Sequence, residues 1–327
     1  MLFGRYVFSV VLEDDAVLPV YKGSTLRGLF GHALKKVVCA LRHIDCTDCL
    51  LRSRCIYIQI FETATESLSL DTTSPVPSGV SRHPARKRIV KPPHPYVLEP
   101  PMETRTHYRP HDRLDFTLLL FGMTNDHLPY FIYAFHEMGR QGIGQRINGR
   151  RGAFILECVT TGGNIIYDRQ TGKLDTGLYT SQLELADEPE ASPERLSVHL
   201  ITPLRLKYDN HLKAELPFHI LIRAVLRRIS SLGQYYGHGE PALDYRGLVK
   251  RALEITASFS TLRWFDWKRY SNRQEQAMLM GGMVGQVTYA GPLAEFLPLL
   301  QYCEIVHIGK QTTFGLGRIE VVPGGAA

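Results

Sequence analysis

The amino-acid sequence predicts an α+β protein made of two copies of a βαββαβ unit, each a four-stranded antiparallel sheet with helices on one face. Three observations carry this. Strand-like and helix-like segments follow the same order in each half of the 327 residues. Each half closes with a helix, a glycine-rich loop and a strand. The closing letters also correspond: GIGQRINGRRGAFILECV and HIGKQTTFGLGRIEVV share an Ile-Gly, a basic-polar stretch, a further glycine and a strand.

In chain order, residues 2–12 read as a strand and 26–41 as a helix. In the helix, Leu26, Phe30, Ala33, Leu34, Val37 and Leu41 fall on one stripe, and Ser24 or Thr25 is suited to the N-cap. A cysteine-rich segment, 39–55, precedes residues 56–63, which have strand composition. From 65 to 112 the text is Ser/Thr/Pro-rich, then basic and Pro-rich, and reads as an irregular insertion. A strand at 113–122, a helix at 128–139 ending in glycine and a strand pair at 152–168 around Gly162-Gly163 complete a first domain, 1–168. Polar residues 169–194, with Pro189 and Pro193, read as a linker. The second domain, 195–327, repeats the plan with a strand at 195–207, a helix at 216–237 and strands at 255–263 and 283–290. A helix at 292–303, with Pro292 in its first turn, leads into the glycine-rich loop 307–317.

Hydrophobic residues at 44% and charged residues at 21% describe a soluble globular chain. No apolar run reaches the roughly 18 residues of a membrane span. The N-terminus lacks a basic leader and a small-residue cleavage site, so it reads as the first strand of a cytoplasmic protein. The net charge of +6 tilts toward an anionic partner. Two basic stretches, 81–113 and 139–152, interleave cations with glycine, proline or tyrosine, as a surface tracking an RNA backbone does. Ordinary solvated loops are the alternative for each.

Three constellations can carry chemistry. Cys39, Cys46, Cys49 and Cys55 follow the spacing C-x6-C-x2-C-x5-C. In a cytosolic chain such clustering points to metal, and four thiolates close a tetrahedral structural zinc site with no position for water. Free thiols or a redox motif are the alternative, and His43 can replace one cysteine. Cys158 and Cys303 sit in apolar contexts and read as core. Second, Gly28, His32, Lys35, Lys36 and Cys39 lie off the apolar stripe of the first helix, with Lys35 and Lys36 at i+3 and i+4 from His32. Imidazole titrates near neutrality, which suits a general base, and Tyr21 just before the helix offers a hydroxyl. Gly28 and Gly31 each weaken a helix by roughly 1 kcal/mol relative to Ala, which is tolerable where another backbone or a ligand comes close. Third, the glycine loops offer freed backbone amides beside Lys310, Thr312 and Thr313, and beside Arg146, Arg150 and Arg151, all suited to phosphate oxygens. Neither loop opens a helix, so dinucleotide and P-loop readings fail. There is no G-x-S-x-G, no H-E-x-x-H and no dense carboxylate cluster for two-metal chemistry.

Taken together, the doubled plan, the YKGSTLRGLFGHALKK helix, the four cysteines, LPFHILIRAVLRRISSLGQYYG and the closing loop resemble the CRISPR-associated RAMP-superfamily endoribonucleases that process precursor CRISPR RNA, in their cysteine-containing branch. The family loop reads G-x-G, five residues, G-x-G; here it reads HIG, KQTTF, GLG, with His307 in place of the first glycine. The resemblance implies tandem ferredoxin-like domains and metal-independent cleavage within the repeat by the 2′-hydroxyl, leaving a 2′,3′-cyclic phosphate and a 5′-hydroxyl. It points to His32 as the catalytic histidine, with Tyr21 and Lys36 as helpers and Lys35 as substitute. RNA contacts are expected from Lys35, Arg146, Arg150, Arg151, His307, Gly309, Lys310, Gly315 and Gly317. A structural zinc and no catalytic metal are expected, with CRISPR repeat RNA and subunits of a CRISPR effector complex as partners. The second reading is a non-catalytic RAMP subunit that holds guide RNA, and the third a zinc-stabilised RNA-binding module unconnected with CRISPR.

Overall fold

The computed structural model describes residues 1–63, 92–175, 177, 179–186, 193–206, 214–271 and 276–324. The first half starts with strand β1 (Leu2–Leu12) and helix α1 (Gly23–Val38). Strands β2 (Tyr96–Glu99) and β3 (Arg113–Phe121) and helix α2 (Leu128–Gln141) follow. A hairpin of β4 (Ile143–Ile147) and β5 (Arg150–Gly152) then leads into β6 (Phe154–Thr161) and β7 (Asn164–Asp168). The sheet runs β7-β6-β1-β3-β2, with the short strand Lys173–Leu174 at the β7 edge and Ser181–Gln182 paired to β1. Within it, β6-β1-β3-β2 is the fourth-first-third-second order of one βαββαβ unit, all antiparallel.

The second half runs β8 (Arg195–Leu204), α3 (Phe218–Tyr236), a short α4 (Tyr245–Arg251), β9 (Thr256–Ser260) and β10 (Arg263–Ser271). It closes with β11 (Gln276–Ala290), α5 (Leu297–Val306) and β12 (Ile319–Gly324). The order β9-β11-β8-β12 is the same plan, with β9 and β10 pairing successive stretches of the long β11. The fold is therefore two ferredoxin-like units in tandem, as the doubled pattern predicts.

Packing explains both the agreement and the departures. Tyr6, Phe8, Val10 and Leu12 of β1 turn to one face and meet α1 and α2. There Phe30 stacks between Phe131 and Phe135, with centroids 5.3 and 4.8 Å away, and Phe135 reaches Phe8 at 4.7 Å. The opposite face of the same sheet supplies Val97, Leu119 and Phe121 to a second core shared with α3, α5 and the second sheet. The two halves are thus joined through a common apolar layer. The strand expected at 56–63 is instead helical, with a π-turn at Ile58–Glu62 ending at Thr63 in the left-handed region. The wide turn buries Ile58, Ile60 and Phe61 together, and this packing overrides their β propensity. The expected irregular insertion 65–112 contains β2 and His107–Tyr108, which pairs with Ala16–Val17; its residues 65–91, including the first third of the basic stretch 81–113, lie outside the described residues. The expected loop at 139–152 is a hairpin whose Asn148-Gly149 turn takes φ of 50° and 83°, values that Asn and Gly adopt at least cost. Helix α4, unforeseen in the sequence, is capped by the Asp244 carboxylate, which accepts from Gly247 N at 2.9 Å. Among the described residues no helix is long and apolar enough to cross a membrane.

Candidate active site

The free face of α1 forms one wall of a cleft of about 1220 Å³, lined by Ser24, Arg27, Gly28, Gly31, His32 and Lys35. Asp45, Cys46, Thr47 and Arg52 from the cysteine-rich segment and Tyr57, Phe61 and Glu62 from the π-turn line it as well. The hairpin closes the other side with Gly144, Gln145 and Arg151. The two helical glycines play different parts. A Cβ at Gly31 would come within 2.6 Å of Phe61 Cε1, so that glycine makes room for a ring. A Cβ at Gly28 would meet nothing within 4 Å, so it opens onto the cleft beside His32.

Sequence-predicted site residues divide into those the cleft gathers and those it does not. His32 is exposed within it, and Lys35, half-buried, places Nζ 5.6 Å from the Tyr57 ring centroid. Arg151 faces α1 from the hairpin, its Nε buried without a hydrogen-bond partner. Arg146 and Arg150 stand exposed near the hairpin tip. Lys36 is turned out of the cleft and ion-paired with Glu137 of α2. Tyr21 is also outside: its hydroxyl donates to Phe314 O at 2.5 Å, and burial, with Glu99 nearby, pushes its pKa up. A phenol so held braces the fold, which corrects its expected place beside the reacting atoms.

The glycine loop is largely interior. His307 is fully buried, its Nε2 2.9 Å from Glu99 Oε1 and its Nδ1 3.1 Å from Leu316 O. Burial works against the Glu99 carboxylate, but His307, Arg5 at 3.0 Å and Arg318 at 3.8 Å outweigh it and hold its pKa below the ordinary value. A Cβ at Gly315 would strike Pro100 and Leu98 of the first half, and one at Gly317 would strike Ile308 O. His307 and Gly315 are therefore interior contacts between the halves, Gly317 is an interior contact within the second half, and none of the three is RNA-facing; Gly309 and Lys310 are exposed. Cys39, Cys46, Cys49 and Cys55 are half-buried free thiols. Among the described residues no three His, Cys, Asp or Glu side chains converge on a point that could hold a metal, so this arrangement does not assemble the expected thiolate cage. Cys303 is core, whereas Cys158 is only half-buried.

Sequence reasoning missed Arg27, Arg52, Tyr57 and Gln145. Arg27 was findable, since it borders Gly28 and Gly31 on the helical wheel. Arg52 was not, because its place depends on an irregular segment in which its Nη1 donates to Cys46 O at 2.8 Å.

Residues 198–319 match the family model of the CRISPR-associated endoribonuclease Cas6, and residues 1–178 match AF_1859_N, described as an N-terminal domain. The first 178 residues thus belong to the AF_1859_N N-terminal-domain family, and the Cas6 match covers residues 198–319. An uncharacterised protein of Archaeoglobus fulgidus is 24% identical over 309 residues, covering 93% of this chain and 92% of its own. Among solved structures, a Cas6 product complex superposes with a TM-score of 0.55 at 14% identity, covering 98% of this chain and 99% of that one. Thermus thermophilus Cas6 gives 0.52 at 13% identity, covering 98% of each chain. A partial Cas6-RT-Cas1–Cas2 complex gives 0.57 at 14% identity, where this chain spans only 46% of the other. These likenesses show the shared fold.

Proposed function

We propose that this chain, whose residues 198–319 match Cas6, is an endoribonuclease that cuts precursor CRISPR RNA within its repeats. The observation that carries the reading is His32, exposed beside the open flank of Gly28 in a cleft walled by Lys35 and Arg151. The chemistry asks for a base, a cation and a proton donor. His32 takes the proton of a ribose 2′-hydroxyl as that oxygen attacks the adjacent phosphorus. The 2′-O–P bond forms, the P–O5′ bond breaks, and the 5′-oxygen takes a proton from solvent water as it leaves, while His32 returns its own proton to solvent. Cationic side chains on both walls offset the charge building on the phosphorane. The products are a 2′,3′-cyclic phosphate and a 5′-hydroxyl, and no step is assigned to a metal. The hairpin cations Arg146 and Arg150 extend the basic wall along the RNA backbone.

The test is incubation of the full chain with repeat RNA from its own array in chelator-containing buffer. One discrete cut is expected, with an upstream product resistant to phosphatase until acid opens the cyclic phosphate. His32→Ala should abolish the cut and retain binding. Tight binding of every repeat without cleavage would replace this reading by a non-catalytic guide-RNA subunit.

A further inference from the structure

Arg27 lies on the cleft face of α1, and its guanidinium carbon is 4.7 Å from the Phe61 ring centroid and 5.0 Å from that of Phe314. The two rings come from different halves of the chain: Phe61 from the π-turn behind α1, Phe314 from the glycine loop of the second domain. Aromatic faces attract a guanidinium and restrain its plane, but they do not satisfy its N–H groups. The Arg27 guanidinium also lies against the Tyr96 hydroxyl, yet its Nε is buried with no hydrogen-bond partner, and so is Arg151 Nε on the opposite wall. Buried donors left unpaired are costly, and an anion entering the cleft would supply what they lack.

Phe314 is itself held from behind. It is 8% exposed, its carbonyl accepts from Tyr21 at 2.5 Å, and a Cβ at Gly23 would fall 2.1 Å from that carbonyl. The next residue, Gly315, is anchored through its carbonyl by Thr202 Oγ1 at 2.9 Å. The start of α1 and the loop therefore meet backbone to backbone, and the ring of Phe314 has a fixed position relative to Arg27.

We propose that Phe314 is a positioning residue: with Phe61 it clamps Arg27 so that the guanidinium meets a phosphate of RNA bound in the His32 cleft. Phe314 of the second domain's glycine loop then serves the reaction through Arg27, without touching RNA itself. This rests on the ribonuclease reading above.

The experiment is a double-mutant cycle in single-turnover cleavage at saturating repeat RNA, with Arg27→Ala, Arg27→Lys, Phe314→Leu, Phe314→Tyr and the Arg27→Ala/Phe314→Leu pair, each checked by thermal melting. Arg27→Ala should slow cleavage about 100-fold, the loss typical of removing one preorganised transition-state donor. Arg27→Lys should recover only part, because it keeps charge without the stacking plane. Phe314→Leu should cost about tenfold, the scale of a desolvated cation–π contact, and Phe314→Tyr should restore the rate. In the Arg27→Ala background Phe314→Leu should have no further effect. An equal penalty in both backgrounds would make Phe314 merely structural, and a wild-type rate in Arg27→Ala would remove Arg27 from the chemistry; either overturns the proposal. If wild type binds but does not cut, the ribonuclease reading alone fails, and the same cycle read in RNA affinity decides the coupling. A chain that neither binds nor cuts overturns both.

Discussion

The two glycines of α1 make a matched pair for testing what the cleft is for. Each is interior to the helix, so replacing either by Ala should gain about 0.5–1 kcal/mol of backbone propensity. That gain is common to both, so the difference between them reports what the new methyl meets. At Gly28 it meets nothing within 4 Å, and Gly28→Ala should raise stability by the full propensity term. At Gly31 it comes within 2.6 Å of Phe61 Cε1, and the ring must move, at about 1–3 kcal/mol for an overpacked site. Gly31→Ala should therefore melt below Gly28→Ala by an amount equivalent to about 1–3 kcal/mol, read from urea or thermal unfolding with coincident probes. Gly28→Leu carries the argument to function. Its side chain stands in open cleft beside His32, so the fold should hold while RNA affinity falls at least tenfold. Equal melting of the two Ala variants would refute the packing of Phe61 against Gly31, and full RNA affinity in a folded Gly28→Leu would refute the placement of RNA against this face.

Three further outcomes are expected. Glu99 has a depressed pKa, so its contribution to stability is present above the unfolded carboxyl value and is lost as pH falls through the folded one; urea midpoints of wild type should fall below about pH 4.5, while Glu99→Gln, costing on the order of 3 kcal/mol at neutral pH, should lack that step. Replacing both Arg146 and Arg150 by Ala should weaken RNA binding and flatten the slope of log affinity against log salt by about 1.4, or roughly 0.7 per single-strand phosphate contact; an unchanged slope would remove the hairpin tip from the RNA path. Zinc binding, expected from the cysteine spacing, requires segment 39–55 to close up from the arrangement described; about one zinc per chain with thiols protected from Ellman's reagent would establish it, and four reactive thiols in metal-free protein would refute it.

Much of the fold was legible because hydrophobic periodicity and glycine stops are local signals. The β1 strand, α1, α2, α3 and the closing loop follow from stripes and caps within their own residues. Ile56 to Glu62 misled because β-branched composition says nothing about the aromatic pocket that Phe61 fills beside Phe30 and Tyr96. The hairpin was concealed by its arginines, although Asn148-Gly149 marks its turn plainly. At the site, a helical wheel places His32 and Lys35 in the open. It cannot place Lys36 against Glu137, or show that Tyr21 is tied to Phe314 and His307 is interior, because those partners come from distant parts of the chain. A glycine-rich motif reads alike whether its freed backbone meets phosphate or meets another strand of protein.

The apolar layer between the halves has a further consequence for how the duplication can be dissected. Val97, Leu119 and Phe121 look toward α3 and α5, and Arg228 of α3 lies 5.5 Å over the Phe121 ring while donating to Val306 O. A fragment ending near residue 178 would bare that sheet face to water and also lose the ring that backs Arg27. Loss of structure in either copy uncovers the interior of the other, so the repeated unit is duplicated in sequence yet single as a folding unit.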